Sequence, residues 1–237
     1  MSSMFSWDFA IGHFPDLLKV VPVTLLIAVV SMLLGLFLGL LIALCRIYRV
    51  PVLNNLAALY VSFIRGTPML VQLYVLLYGI PALLEALNNR WGWNLSSDNI
   101  SPLIFALTAY TINSAAYQSE VVRGALNAID MSQMEAAYSV GMTTTQSIIR
   151  IILPQALVVA LPNLSNIFIG LIKGTSLVFA VKVIDIMAVA KIVSAEGYRF
   201  MEMYLGAALI YWIICFALEK LFAVMEKRLR RYESKMA

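Results

Sequence analysis

Residues 17–44 read LLKVVPVTLLIAVVSMLLGLFLGLLIAL, and beyond Lys19 this run holds no charged side chain. A helix crosses a bilayer with about 20 mainly apolar residues. The stretch is therefore long enough for one crossing and too long for the apolar core of a secretion signal. Ahead of it, Met1 to Asp16 carries Asp8 and Asp16 and neither Lys nor Arg, so an uncleaved N-terminus is expected. Lys19 and Pro22 stand at the entry of the run, Arg46 and Arg49 just past its exit.

Four further stretches match it along the chain, at about 69–87, 102–126, 146–172 and 203–224. A half-polar segment, 52–64, leads into the second, and a long interrupted connection, 173–202, separates the last two. Of the 237 residues, 62% are hydrophobic and 13% charged, against about 45–50% and roughly 25% in a soluble domain. A water-facing globule of this composition could not cover its surface. Soluble enzymes, nucleic-acid binders and disordered tails are excluded, and the expected fold is an all-α membrane protein. It forms one domain over 1–237, with five transmembrane helices. Cys45 and Cys215 both sit in apolar segments and read as small hydrophobes, not as a metal or redox pair.

The net charge of +4 reports orientation before it reports a partner. Arg46, Arg49, Arg65, Arg123, Arg150 and the Lys227-Arg228-Leu229-Arg230-Arg231 tail flank one side of the spans. On the other side Lys19, Arg90, Lys182, Lys191 and Arg199 are interleaved with acids such as Asp16, Glu85, Asp185 and Glu196. The positive-inside rule places the C-terminus and the 127–145 loop in the cytoplasm, and an odd number of spans puts the N-terminus outside. Trp91 and Trp93 suit an interfacial aromatic belt on the outer side. Gly35 and Gly39 form a G-x-x-x-G pair that either admits a closely packed helix or is incidental.

The cytoplasmic loop reads Asp130-Met-Ser-Gln-Met-Glu-Ala-Ala-Tyr-Ser-Val-Gly141. Ser132 and Glu135 have capping-box spacing, and Gly141 suits the left-handed residue that stops a helix. A helix of about two turns is expected over 132–141. So short a helix is unstable alone in water, so it must pack on its own bundle, on a partner, or on both. Ala136 and Ala137 offer a small face to a shallow groove.

The longer pattern is specific. Glu135-Ala136-Ala137, three residues, Gly141, nine residues and Ile151-Ile152-Leu153-Pro154 match without a gap the EAA signature of ABC importer permeases. Ser62-Phe-Ile-Arg65-Gly66-Thr67-Pro68-Met-Leu-Val-Gln72-Leu resembles the FRGTPLLVQL segment of the polar amino acid branch of that family. Ser114-Ala-Ala-Tyr117-x-x-Glu120-x-x-Arg123-Gly124 and Leu153-Pro-Gln-Ala-Leu-x-x-x-Leu161-Pro162-x-Leu-x-Asn166-x-Phe168-Ile resemble the same branch. The likeness runs from about Leu17 to Leu229. It implies a type I ABC importer permease core in a bacterial cell membrane. A second permease subunit, preferably an identical copy, two ATP-binding subunits and an extracytoplasmic solute-binding protein would complete the assembly. By the resemblance, Glu135, Ala136, Ala137 and Gly141 form the coupling helix that docks on the ATPase. The stretches Val183-Ile-Asp185-Ile-Met-Ala and Met203-Tyr204-Leu resemble the cystine permeases of the branch, with glutamine or another zwitterionic amino acid as the alternative substrate.

Ionisable groups inside spans are costly and default to functional candidates. Glu120 and Arg123, three apart on one helical face, suit an interior salt bridge. Lys173, with Thr175 and Ser176 beside it, can satisfy a carboxylate or simply snorkel at a helix end. Gln72, Thr67 and Tyr117 add neutral hydrogen-bonding groups. Where the family commonly has an aspartate after the lysine, this chain has Gly174, which removes a negative charge and disfavours a strongly cationic substrate. Gly170-Leu-Ile-Lys173-Gly174-Thr175 is not a Walker A loop, because its lysine precedes the glycine. No nucleotide site, catalytic group, metal cluster or cofactor is expected on this chain; ATP and Mg²⁺ belong to the partner ATPase. An ATP-independent secondary transporter or channel is the competing class, and neither an acidic mid-span cluster nor an internal repeat favours it.

Overall fold

The computed structural model describes residues 5–97 and 99–233, with side chains through Leu229. Two helices replace the first apolar run. Helix α1 spans Trp7–Lys19 and α2 spans Val21–Ile47. Pro22 has no N–H to continue the ladder to Leu18, and the Val20 N–H takes that carbonyl instead, ending α1. The stretch read as beginning at Leu17 thus begins at Val21. Residues Arg49 and Val52 bracket Pro51 with positive φ and turn the chain into α3, Leu53–Gly66, which is the half-polar lead-in. Helix α4, Met69–Trp91, follows Pro68 and stops at Gly92, whose φ of +67° supplies the left-handed residue a helix end favours.

Helix α5, Pro102–Asn127, starts with Pro102 in its first turn and the Ser101 hydroxyl accepting the Leu103 N–H at 3.3 Å. After the short α6, Ser132–Ser139, the chain rises through α7, Thr144–Ser147, a wide π turn at Ile148–Ile152 and α8, Leu153–Gly174. Pro154 explains the wide turn. It removes one N–H from the ladder, and the Leu153 N–H bonds five residues back to Ile148. The connection left unassigned in the sequence holds a 3-10 turn, Thr175–Val181, and α9, Ile186–Gly197. Helix α10 runs without a break from Phe200 to Glu233, nine residues past the boundary read from sequence at 224.

Among the described residues, four helical stretches are long and apolar enough to cross a membrane: 7–47, 69–91, 144–181 and 200–229. The fifth expected span, 102–126, is α5, which is helical over 26 residues but too polar to join them. Polar side chains of α5, Thr111, Ser114, Gln118 and Ser119 among them, are buried against neighbouring helices.

Helices α2 and α5 form the tightest pair. Buried Thr24, Ala28, Ser31, Gly35, Gly39 and Ala43 line one face of α2. A Cβ on Gly35 would sit 2.8 Å from the Ser114 side chain, and one on Gly39 would sit 3.0 Å from Ala115 O and Ser119 N. Glycine is required at both positions, so the G-x-x-x-G pair is a packing motif whose partner is this chain's own α5. Gln118 bridges the two helices by donating to Met32 O at 3.1 Å. One apolar core joins Ile27, Leu73, Tyr110, Phe168, Ile172 and Val178. A second, of Leu17, Ile186, Met203 and Ile210, holds α1 and α9 against α10.

Candidate functional site

The loop helix α6 is built as a capped peg. The Asp130 carboxylate accepts the Ser132 N–H at 2.9 Å. That N–H and the Ser132 hydroxyl hold the Asp130 carboxyl below its usual range. The capping box expected from Ser132 and Glu135 is not formed: Ser132 already lies inside the helix, and Asp130, two residues upstream, does the capping. A true capping box occurs at the start of α7, where Thr143 N donates to Gln146 Oε1 at 3.0 Å and Gln146 N to Thr143 Oγ1 at 3.3 Å. Gly141 ends the peg as expected, with φ +79°.

Glu135, Ala136, Tyr138 and Val140 face outward, and Tyr138 donates to Thr144 Oγ1 at 3.2 Å. Ala137 is 2% exposed. It therefore cannot join Glu135 and Ala136 on a docking face as read from sequence. One small residue anchors the peg to its own bundle while the other stays outside, because adjacent helical residues point about 100° apart.

Along α5 and α8 runs a furrow made of two cavities that share Tyr117 and Ile167. One, of about 410 Å³, is lined by Thr67, Met69, Tyr110, Asn113, Ser114 and Gly174 among others. The next, of about 550 Å³, includes Arg65, Glu120, Asn163 and Asn166 and leads toward the end of α5 that carries α6. The Arg65 guanidinium stacks 5.4 Å from the Tyr117 ring centre.

The furrow's polar groups are held in place from behind. Gln72 is buried and fully engaged: it donates to Ile64 O at 2.8 Å and Thr67 Oγ1 at 2.9 Å, and accepts Asn113 Nδ2 at 3.0 Å. It positions Thr67 and Asn113 rather than lining the path itself. Glu120 bonds Arg123 at 2.7 Å, the salt bridge expected from their spacing. Its other oxygen takes Arg46 of α2, a partner that spacing within one helix could not reveal.

The Lys173 cluster does not converge as expected. Thr175 is fully buried and donates to Ile172 O at 2.7 Å, while Ser176 donates to Lys173 O at 2.8 Å. In the tight turn that follows α8, successive side chains diverge. Gly174 lines the furrow, but Lys173 opens on a separate cleft against α10. Tyr110, Asn113 and Asn163 line the furrow with no sequence signal beyond being polar groups within apolar helices, while Asn166 lies in the motif that follows Leu161-Pro162 but is not read there as a site residue.

Geometry and hydropathy together define a class: a multi-pass helical membrane protein with a polar furrow along α5 and α8 and a capped peg between two of its long helices. Residues 35–231 match the family model for the inner membrane component of binding-protein-dependent transport systems, and the chain belongs to that family. It is 38% identical over 227 residues to the L-cystine transport system permease protein TcyL of Bacillus subtilis, covering 95% of this chain and 92% of that one. It is 41% identical over 227 residues to the probable amino-acid ABC transporter permease protein PatM of Vibrio harveyi, covering 96% and 97%. A crystal structure of an amino acid ABC transporter with histidines superposes with a TM-score of 0.77 at 31% identity, covering 92% of this chain and 96% of that one.

Proposed function

We propose that this chain is the permease subunit of an ATP-driven importer of polar amino acids in a bacterial cell membrane, with L-cystine as the favoured substrate. The observation that carries the reading is the peg: α6 stands between two long helices, anchored inward by Ala137 and presenting Glu135, Ala136, Tyr138 and Val140 outward. A rigid handle in that place converts closure of a partner ATPase into rigid-body motion of α5 and α8, the two walls of the furrow. The furrow is the path, with Thr67, Asn113 and Tyr117 along it and the Glu120 ion triad at its edge.

In this account α5 is the fifth span, buried among its neighbours, with the N-terminus outside and the C-terminus in the cytoplasm. The assembly holds two copies of this chain, two ATP-binding subunits that bind ATP and Mg²⁺, and an outer binding protein that delivers substrate. Each conformational state must differ in its contacts with nucleotide or substrate, or no shift is driven. The L-cystine reading rests on relatives of that name and on the neutral Gly174, which leaves the upper cavity without a carboxylate to attract cations.

Vesicle uptake tests the reading. With ATPase and binding protein reconstituted, labelled L-cystine accumulates when ATP is supplied and does not when it is withheld. Uptake that persists without ATP rejects the importer, and ATP-driven uptake of glutamine in place of cystine rejects the favoured substrate.

A further inference from the structure

The cleft that receives Lys173 is small, about 230 Å³, and is walled on the α10 side by Tyr211, Trp212, Cys215, Phe216 and Glu219. Lys173 and Glu219 are both exposed on the surface of the chain. They face one cleft without closing into a salt bridge, and among the described residues neither has an ion-pair partner. Cys215, one helical turn before Glu219, lies within electrostatic reach of both charges. Trp212 and Phe216 stack with ring centres 5.8 Å apart and form one aromatic wall.

The depth of the cleft makes these charges informative. Cys215 lies near the middle of the apolar part of α10, which runs from about 203 to 224. An ammonium and a carboxylate facing acyl chains at that level would be strongly unfavourable, so this face borders water or protein. A cleft that offers one fixed positive and one fixed negative charge, unpaired and beside aromatic rings, is complementary to a molecule carrying both charges on adjacent atoms. The Phe216 half of the aromatic wall already carries the Lys220 ammonium, 5.2 Å from its ring centre.

We propose that Lys173 and Glu219 form a zwitterion-binding site, in which Lys173 holds the α-carboxylate and Glu219 the α-ammonium of a translocating amino acid. The inference rests on the importer reading above and locates within it the residues that select an amino acid by its backbone charges. It also places the recognition of the backbone charges in a cleft apart from the furrow cavity that Gly174 lines.

The test uses the complete transporter in vesicles, with labelled L-cystine and a panel of labelled amino acids as probes. Glu219→Gln and Lys173→Met each lower uptake by about tenfold or more, the scale expected when one charged contact to the ligand is removed. The variant complexes copurify with the ATPase in wild-type amounts. The decisive variant is the double neutral one, Lys173→Met with Glu219→Gln. A ligand site leaves it as inactive as the singles. If the two residues merely pair with each other in another state, or are covered by a second copy of the chain, removing both charges restores uptake and overturns the proposal. Wild-type vesicles that take up no probe with ATP present overturn the importer reading itself, so the two failures are told apart.

Discussion

Arg46 and Glu120, 74 residues apart in sequence, form an ion pair that ties the C-terminal end of α2 to α5. Glu120 holds Arg123 with its second oxygen, so one carboxylate neutralises two guanidinium groups at the edge of the furrow. With the Glu120 side chain 21% exposed, the pair is partly shielded from solvent. Glu120→Ala leaves two cations facing each other, and a loss of about 1–3 kcal/mol is expected after allowing for screening. A double-mutant cycle of Arg46→Ala and Glu120→Ala, read by thermal unfolding in detergent, gives a coupling above about 0.5 kcal/mol. Additive effects would mean the two residues do not interact in the folded protein.

The α2–α5 seam makes a second prediction. A methyl group on Gly39 meets backbone atoms of α5 at 3.0 Å, and backbone cannot move aside as a flexible side chain can. Gly39→Ala costs about 1–3 kcal/mol by overpacking, and Gly39→Leu abolishes recoverable protein. Gly12→Ala, inside α1 where a Cβ meets nothing within 4 Å, is the control and does not lower the unfolding temperature. Equal stability of Gly39→Ala and Gly12→Ala would contradict the seam.

Gly174 sets the charge of the upper cavity. A Cβ there would lie 3.4 Å from Tyr110 Cε1, an ordinary contact, so a side chain fits and projects toward the furrow. Gly174→Asp places a carboxylate in a cavity otherwise lined by neutral groups. Binding of labelled L-lysine to the solubilised complex, measured without the binding protein, tightens by about fivefold or more, equivalent to about 1 kcal/mol. Unchanged L-lysine binding would show that position 174 does not face the substrate.

Asp130 makes the start of α6 sensitive to acid. Its carboxyl lies below the ordinary 3.8 because the Ser132 N–H and hydroxyl stabilise the charged form. A carboxyl depressed in the folded state stabilises it above the unfolded pKa, and that contribution is lost as pH falls through the folded value. The cap is therefore intact from neutral pH down to about 5. The Ser132 amide resonance in labelled protein titrates with a midpoint under 3.8. A midpoint at or above that value would remove the cap assigned to Asp130.

Much of this architecture is legible because lipid imposes one-dimensional constraints. An apolar run such as Leu17–Leu44 announces a helix, and Gly141 announces the end of the peg. The break at Val20 is less visible, because apolar composition runs straight through it and only Pro22 marks it. Helix α5 is legible as a helix, but the seat of Gln118 and Glu120 against α2 is not, because sequence does not place α2 beside it. The same limit hid the site. Asn113 and Gln72 meet across two helices, as do Arg46 and Glu120, and no spacing along the chain encodes that register. Conversely, Lys173, Gly174 and Thr175 look like one cluster and are split by the tight turn into a cleft, a furrow and the core.

The account turns on α6 as the part that a separate ATPase grips. Hydrogen exchange of the amides of 132–141, measured on this chain in nanodiscs with and without its ATPase, tests that most directly. Exchange across α6 slows in the complex, and Gly141→Asp, which puts a side chain where φ is +79°, weakens that protection while the protein still inserts into the membrane. Unchanged exchange over 132–141 with the ATPase bound would contradict the account.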